Sequence, residues 1–226
     1  MTFSIAARCA RTGQLGIAVT TSSICVGSRC PWVRTAVGAV STQNITLPEI
    51  GPRTLDGIAA GESGPAALQR VMAGSVDAAY RQVIAIDHQG RTAHHSGEHT
   101  LGVHAVHSGL DCIAGGNMLR STELPAAVVE NFEQQPERAL PERLMAALET
   151  GLYQAGGEAG PVHSAALLVS AEQSWPLVDL RIDWDDDDPV SRLRRLWVEY
   201  EPQMQDYVTR ALDPASAPSY GVPGDL

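Results

Sequence analysis

The chain has 226 residues, 44% of them hydrophobic, and a formal net charge of −10 with 16 cationic side chains, all of them arginine. This composition predicts one or two domains with a sizeable core, and an acidic surface without basic clusters argues against a nucleic-acid or anionic-membrane partner. No apolar run reaches the roughly 18 residues that span a bilayer and no secretory leader pattern opens the chain, so we expect a cytoplasmic protein.

The first half of the chain alternates between strand-like and helix-like patterns. Short runs of small and β-branched residues predict strands, and the Gly- and Ser-rich segment 25–32 is interpreted as a loop. Ser63 is the expected N-cap of a helix. In chain order, the predicted elements are strands at 2–8, 15–23 and 36–43, helices at 52–60 and 65–72, and strands at 82–87, 91–95 and 111–115.

The second half continues with helices at about 123–133 and 137–154 and strands at 163–171 and 177–184. Asp188-Pro189 predicts the start of a last helical region, which Pro202 should break or kink. Its apolar residues step by three and four, as expected for a helix with one buried face. We predict a single domain over 1–212 and a flexible tail over 213–226.

Hairpin strands that alternate with pairs of helices indicate an α+β fold with antiparallel sheets covered by helices. A four-layer α-β-β-α sandwich is one arrangement that fits this order. Of the four cysteines, none forms a C-x-x-C pair, and we expect reduced, mostly buried thiols.

A set of short blocks gives this chain a resemblance to a known family, the bacterial and archaeal domain of unknown function 1028. The family is grouped with the N-terminal-nucleophile (Ntn) hydrolase fold. The resemblance therefore implies the four-layer sandwich, and it implies no settled substrate. The blocks are Thr2–Ile5, Leu15–Val19, Val26–Ser28, Pro31–Trp32, Val37–Gln43, Gly51–Arg53, Arg81–Val83, Gly116–Asn117, Ser164–Val169 and Val178–Asp183.

Thr2 is the candidate nucleophile. If Met1 is removed, Thr2 carries both a hydroxyl and a free α-amine, whose pKa is roughly 7.7–8.0, suitable for a general base. A threonine activated by its own amine is an established oxygen nucleophile. If Met1 stays attached, Ser4 is the alternative nucleophile, because Thr2 and Ser4 share one face of a strand.

Asn117 is the candidate donor to an oxyanion, because its amide is a neutral donor. Gly116 beside it would let the backbone approach a ligand, although Gly-Gly-Asn is also a common turn sequence. Ser22 and Gln43 close their strands and Arg34 opens the third strand. These three and Ser4 are the other candidate substrate-binding residues, against the simpler interpretation of polar strand ends and a salt-bridged arginine.

Two further clusters contain residue types that can bind metals. Five histidines fall between His94 and His107, but glycines interrupt the run and no familiar ligand set is complete, so loop histidines are favoured over a zinc site. The acidic run Asp183–Asp188 is explained by its place before a helix, whose positive end it complements. We predict no metal and no cofactor.

These observations predict a hydrolase that cleaves an amide, ureido or cyclic-amide C–N bond of a small molecule, acting as a homodimer. The alternative is a non-catalytic member of the fold that binds a small molecule or serves in assembly.

Overall fold

Two antiparallel β-sheets organise the chain, whose residues 1–221 are described by the computed structural model. The strands are β1 (Thr2–Arg8), β2 (Leu15–Thr21), β3 (Pro31–Arg34), β4 (Gly38–Asn44), β5 (Arg81–Asp87), β6 (Thr92–Ser96), β7 (Ala105–Gly109), β8 (Cys112–Asn117), β9 (Ser164–Ser170) and β10 (Pro176–Ile182). The first sheet has the order β10-β9-β2-β1-β8-β7 and the second has the order β3-β4-β5-β6.

The helices lie between runs of strands along the chain, in the order that the sequence predicts, and the α+β class is confirmed. They are α1 (Ile50–Ala59), α2 (Gly64–Ala73), α3 (Leu124–Glu133), α4 (Leu140–Glu149), α5 (Pro189–Tyr200) and α6 (Met204–Leu212). Within residues 1–221, none of these helices combines the length and apolar character that crossing a bilayer requires.

The predicted helix boundaries have the expected physical causes. Ser63 Oγ accepts a hydrogen bond of 3.2 Å from the amide of Ala66 and caps α2, which satisfies one of the free donors at the helix start. Asp188 caps α5 through the amide of Ser191. Pro202 lies in a 3₁₀ turn between α5 and α6, as expected for a residue that cannot continue a helix.

The strands β3 and β7 are absent from the sequence-based prediction, which is wrong in assigning 25–32 wholly to a loop. Each of the two lies at the edge of its sheet and is short, with four and five residues respectively. β3 begins at a proline, which edge positions tolerate. Most residues of β3 and β7 are partly exposed, so neither strand shows the continuous apolar pattern of a central strand.

Three apolar clusters show which face of each strand is covered. The first packs Phe3, Ile5 and Ala7 of β1 against α3, α4 and α5. The second contains Ala6 of β1 and Ile84 of β5, from facing sides of the two sheets. The third packs β4 and β5 against α1 and α2. Because side chains alternate along a strand, Thr2 and Ser4 share the face of Ala6 and point toward the second sheet.

The segment after α6 was predicted as a flexible tail. Residues 213–221 form neither helix nor strand, and Arg210 of α6 donates a hydrogen bond of 3.0 Å to the carbonyl of Pro218. Residues 222–226 of the predicted tail lie outside the described residues. The single domain over 1–212 stays a prediction.

Candidate active site

Thr2 begins β1, which lies between β2 and β8 in the first sheet. Its partner on β2 is Thr21 and its partner on β8 is Asn117. Side chains directly opposite each other on neighbouring strands point to the same face, with Cβ atoms about 5 Å apart. The pairing therefore brings a hydroxyl, a second hydroxyl and an amide into one row that faces the second sheet.

The hydroxyl of Thr2 is held close to the peptide bond that precedes it. Thr2 Oγ1 donates to the carbonyl oxygen of Met1 at 2.6 Å and lies 2.9 Å from Thr21 Oγ1. The same carbonyl oxygen accepts from Thr21 Oγ1 and, at 3.4 Å, from the amide of Ser22. Several donors thus converge on a carbonyl oxygen that lies beside the Thr2 hydroxyl.

A buried chain of polar side chains links this end of β1 to the second sheet. Ser4 Oγ lies 3.1 Å from Ser41 Oγ and 2.9 Å from Gln43 Oε1. Gln43 Nε2 then donates to Gln82 Oε1 at 2.9 Å. Gln43 and Gln82 are opposite one another on β4 and β5, so both amides come from the strand ends nearest Thr2.

Gln82 returns the chain to the first sheet. Its Nε2 donates to the carbonyl of Gly116 at 3.0 Å, and its Oε1 also accepts from Asn117 Nδ2 at 3.1 Å. Because a carbonyl can only accept, the bond to Gly116 fixes which end of the Gln82 amide faces Asn117. We call the set formed by Thr2, Ser4, Thr21, Gln43, Gln82 and Asn117 the strand-end cluster.

The strand-end cluster is closed to solvent and contains one unpaired acceptor. Ser4, Gln82 and Asn117 have no exposed surface, and Thr2 is 6% exposed. Asn117 Oδ1 has no hydrogen-bond partner among the described residues. A buried acceptor without a partner costs about 1–3 kcal/mol, so a donor that reached this atom would make a favourable hydrogen bond.

The α-amine of Met1 is partly buried beside the cluster. Its nitrogen donates to Ser22 Oγ at 3.3 Å, so the predicted site residue Ser22 lies beside the N-terminal amine. Burial lowers the pKa of this amine, and the negative charge of Glu158 partly opposes the effect. The surroundings therefore favour the neutral, basic form of an amine at this place.

Glu158 is a residue of this region that the sequence does not reveal. Its side chain is buried, and burial raises its pKa to about 8, although the α-ammonium and nearby backbone amides of Ser22 and Phe3 act in the opposite direction. Neither carboxylate oxygen has a hydrogen-bond partner among the described residues. The available signal is a single acidic residue in a Gly- and Ala-rich segment, a pattern that also fits an exposed loop.

Of the predicted site residues, the structure brings Thr2, Ser4, Ser22, Gln43, Gly116 and Asn117 to the same end of the two sheets. Gly116 has a structural need for glycine, because an added Cβ would lie 2.8 Å from Phe3 Cβ on the helix-covered face. The close approach at Gly116 is thus to the protein's own core.

Arg34 is not brought to this region. It pairs with Gly38 at the opposite end of β4 from Gln43. Its guanidinium makes a salt bridge of 2.8 Å to Asp56 of α1. The length of β4 separates Arg34 from Gln43. The simpler interpretation of a salt-bridged surface arginine therefore describes its position.

Residues of the histidine cluster and of the acidic run make hydrogen bonds within the protein. Residues 1–221 contain no group of three or more His, Cys, Asp or Glu side chains arranged to hold a metal. His95 Nε2 lies 2.9 Å from the carbonyl oxygen of Ala78. In the acidic run, Asp185 Oδ1 accepts from the amides of Asp187 and Asp188, and with the Asp188 cap these bonds order the start of α5.

The described surface has cavities away from Thr2. A cavity of about 470 Å³ lies between α2 and β6, lined by Leu68, Met72 and His94 among others. Another of about 400 Å³ is lined by Cys9, Asp111 and Arg143 among others. The thiols are unpaired, and three of the four are buried. Neither cavity includes a residue of the strand-end cluster, in which Thr2 is 6% exposed.

Comparison with family models and solved structures identifies a family that this chain matches. The model for the Family of unknown function (DUF1028) matches residues 2–193. The crystal structure of SPO2555 from Silicibacter pomeroyi, of the same family model, aligns with a TM-score of 0.84 and 30% identity, covering 91% of this chain and 89% of that one. Anbu (ancestral beta-subunit) from Yersinia bercovieri aligns over 91% of this chain and 97% of its own with a TM-score of 0.39 and 10% identity. No functionally curated protein matches the sequence.

Proposed function

Because this chain belongs to the family of unknown function DUF1028, which assigns no reaction, we propose from its site that it is an Ntn-type hydrolase. Its substrate is a small molecule with an amide, ureido or cyclic-amide C–N bond, and its nucleophile is Thr2 after the loss of Met1. The observation that carries the proposal is the position of Thr2 at the first residue of a central strand, opposite Thr21 and Asn117.

The proposed fold is the four-layer α-β-β-α sandwich of Ntn hydrolases. Support comes from the three apolar clusters, which lie between four layers. The layers are, in order, α1 with α2, the second sheet, the first sheet, and α3 to α5. In this arrangement the start of β1 lies between the two sheets. A ligand bound there would contact the strand-end cluster.

Removal of Met1 would supply two requirements of the mechanism at once. It would free the Thr2 amine, and burial near this position already favours a neutral amine. It would also remove the Met1 side chain, which lies against Gly160, where an added Cβ would meet Met1 Cε at 2.8 Å. The free amine and the space left by Met1 would thus appear together.

The proposed reaction begins when the Thr2 amine takes the proton of Oγ1 and Oγ1 attacks the substrate carbonyl carbon. The C–N bond breaks, the leaving nitrogen takes the proton from the ammonium, and the acyl group remains as an ester on Thr2. Water then hydrolyses the ester, with the amine again accepting and returning a proton. An amide gives a carboxylic acid and an amine, a cyclic amide gives both groups on one molecule, and a ureido bond gives a carbamic acid and an amine.

Oxyanion stabilisation needs donors aimed at the carbonyl oxygen. An asparagine amide has two N–H donors, and Asn117 uses one on Gln82. The amide of Ser22 and the hydroxyl of Thr21 bind the Met1 carbonyl and would become free after Met1 is lost. We assign the role to Asn117 together with these two donors.

The test compares two forms of the full chain: one that retains Met1, and one released from a fusion protein so that Thr2 is first. Intact mass verifies each terminus. We expect hydrolysis of compounds in a panel of small amides and ureido acids by the Thr2-first form alone. Equal turnover by both forms would contradict the mechanism.

The second candidate, a non-catalytic binding or assembly protein, is favoured by the closed state of the strand-end cluster. Ligand binding to both forms without turnover in either would support it. The homodimer and the cytoplasmic location stay predictions, which sedimentation and cell fractionation would test.

A further inference from the structure

Glu158 lies in the connection between α4 and β9 and forms an isolated β-bridge with Leu119, just beyond β8. Its side chain is 2% exposed. Both carboxylate oxygens are without a hydrogen-bond partner among the described residues. Burial of a carboxylate whose oxygens have no hydrogen-bond partner is strongly unfavourable, so its charged form depends on a positively charged group nearby.

The surroundings of the carboxylate indicate where that group belongs. The groups that favour its charged form are the α-ammonium of Met1 and the backbone amides of Ser22 and Phe3. Phe3 follows Thr2, and the amide of Ser22 donates to the carbonyl of Met1. All three groups lie next to the Met1–Thr2 peptide bond, and Gly160, two residues after Glu158, lies against the Met1 side chain, so Glu158 is close to that junction.

Another charged side chain contacts Glu158 through its backbone. Arg120, from the segment after β8, donates from Nε to the carbonyl oxygen of Glu158 at 2.9 Å, and this bond leaves the carboxylate oxygens unpaired. On the β9 side, the ring of His163 is directed to Asp185 and Asp186, with Nδ1 3.2 Å from the carbonyl oxygen of Asp185.

A second unpaired acceptor lies beside the same residue. Asn117 is the cross-strand partner of Thr2, and its Oδ1 is buried without a hydrogen bond. Two buried acceptors on different elements therefore flank Thr2. An α-ammonium at Thr2 would bring three N–H donors and a positive charge to this place.

We propose that Glu158 is the positioning residue of the Thr2 amine: with Asn117 Oδ1 it binds the α-ammonium that forms when the amine accepts the proton of Oγ1. This inference rests on the proposed function. In the step, the Oγ1–H bond breaks and an N–H bond forms on the amine, while Glu158 remains a carboxylate. It orients the amine and stabilises its positive charge, in the way that a buried aspartate stabilises the imidazolium of a catalytic triad.

The test measures the pKa of the Thr2 amine in the full Thr2-first chain. The rate of acetylation by acetic anhydride is followed against pH, with the labelled N-terminal peptide read by mass spectrometry. An opposite charge close to an amine raises its pKa, so Glu158→Gln should lower it by about 1 to 3 pH units. Glu149→Gln is the matched control, since Glu149 pairs with Arg194 between α4 and α5, and it should leave the amine unchanged. An unchanged pKa in Glu158→Gln overturns the inference.

A measurement on the wild-type sequence covers the case in which Glu158→Gln does not fold. Glutamate carboxyl carbons are labelled with ¹³C and titrated in three forms: Met1-retaining, Thr2-first, and Thr2-first with an acetylated amine. The buried carboxyl should titrate at lower pH in the Thr2-first form than in the other two. Identical titration in all three forms overturns the inference.

These readouts separate the two proposals. Dependence of the amine pKa on Glu158 without hydrolysis would support the inference and count against the proposed function. Hydrolysis with the same pH profile in wild type and Glu158→Gln would support the function and overturn the role of Glu158.

Discussion

Asn117 Nδ2 donates a hydrogen bond of 3.1 Å to Gln82 Oε1 and so joins β8 of the first sheet to β5 of the second. Gln82 also accepts from Gln43 and donates to the carbonyl of Gly116. One glutamine thus satisfies polar groups of two other strands, β4 and β8, at the Thr2 end.

Gln82→Leu should therefore destabilise the protein strongly. The substitution leaves the amides of Gln43 and Asn117 and the carbonyl of Gly116 without their partner, at about 1–3 kcal/mol for each group that stays unpaired. Urea unfolding measures the loss. Gln69→Leu is the control, because Gln69 is an exposed residue of α2, and its effect should stay within about 0.5 kcal/mol. Equal midpoints for the two variants would contradict the role of Gln82.

Thr2→Val tests the nucleophile with little change of shape. In Thr2-first protein, loss of the hydroxyl should lower turnover about 10⁴-fold or more, and stability should fall by only about 1 kcal/mol. Thr20→Val is the control, since the Thr20 hydroxyl donates to the carbonyl of Ser164 and takes no part in the proposed chemistry. Turnover that survives Thr2→Val but is lost in Ser4→Ala would transfer the role to Ser4.

Glu158 should make the Met1-retaining protein less stable as the pH rises. Burial raises its pKa to about 8 from a usual value of 4.5, so the folded state binds the proton more tightly than the unfolded state. The stabilisation is complete below the usual pKa and is lost as the pH rises toward the folded value, at up to about 1.4 kcal/mol per pH unit.

The unfolding free energy, measured by urea titration between about pH 5 and pH 8, should show this slope in wild type and lose it in Glu158→Gln. Glu149→Gln should retain it. A slope that persists unchanged in Glu158→Gln would show that another group binds the proton.

Gly116→Ala should disturb both the core and the start of β1. An added Cβ would lie 2.7 Å from Leu119 Cδ2, 2.8 Å from Phe3 Cβ and 3.0 Å from the carbonyl oxygen of Thr2. Overpacking of this kind costs about 1–3 kcal/mol, and the contact with Thr2 should also lower turnover.

Gly74→Ala serves as the comparison in thermal unfolding. The nearest atom to its added Cβ would be 3.7 Å away, and its φ is −96°, so little change in melting temperature is expected. A Gly116→Ala variant that unfolds at the same temperature as wild type would contradict the packing argument.

The sequence predicts those elements well whose signal lies within a few adjacent residues. The hairpin of β1 and β2, the Ser63 cap and the start of α5 after Asp188 are each encoded within a few residues. The alternation along β1 also placed Thr2 and Ser4 on one face. β3 and β7 escaped prediction because they are short and mostly part-exposed, so neither carries a continuous apolar pattern.

The sequence by itself determined the α+β class, the family and the shared face of Thr2 and Ser4, because periodicity and short blocks are properties of adjacent residues. Only the tertiary structure decided that Gln43 and Gln82 meet Asn117, that Arg34 lies at the other end of β4, and that Glu158 is buried close to the Met1–Thr2 junction. Contacts between distant segments depend on how whole sheets pack. An acidic residue in a glycine-rich segment, such as Glu158, is exposed or buried depending on which distant segments pack over it.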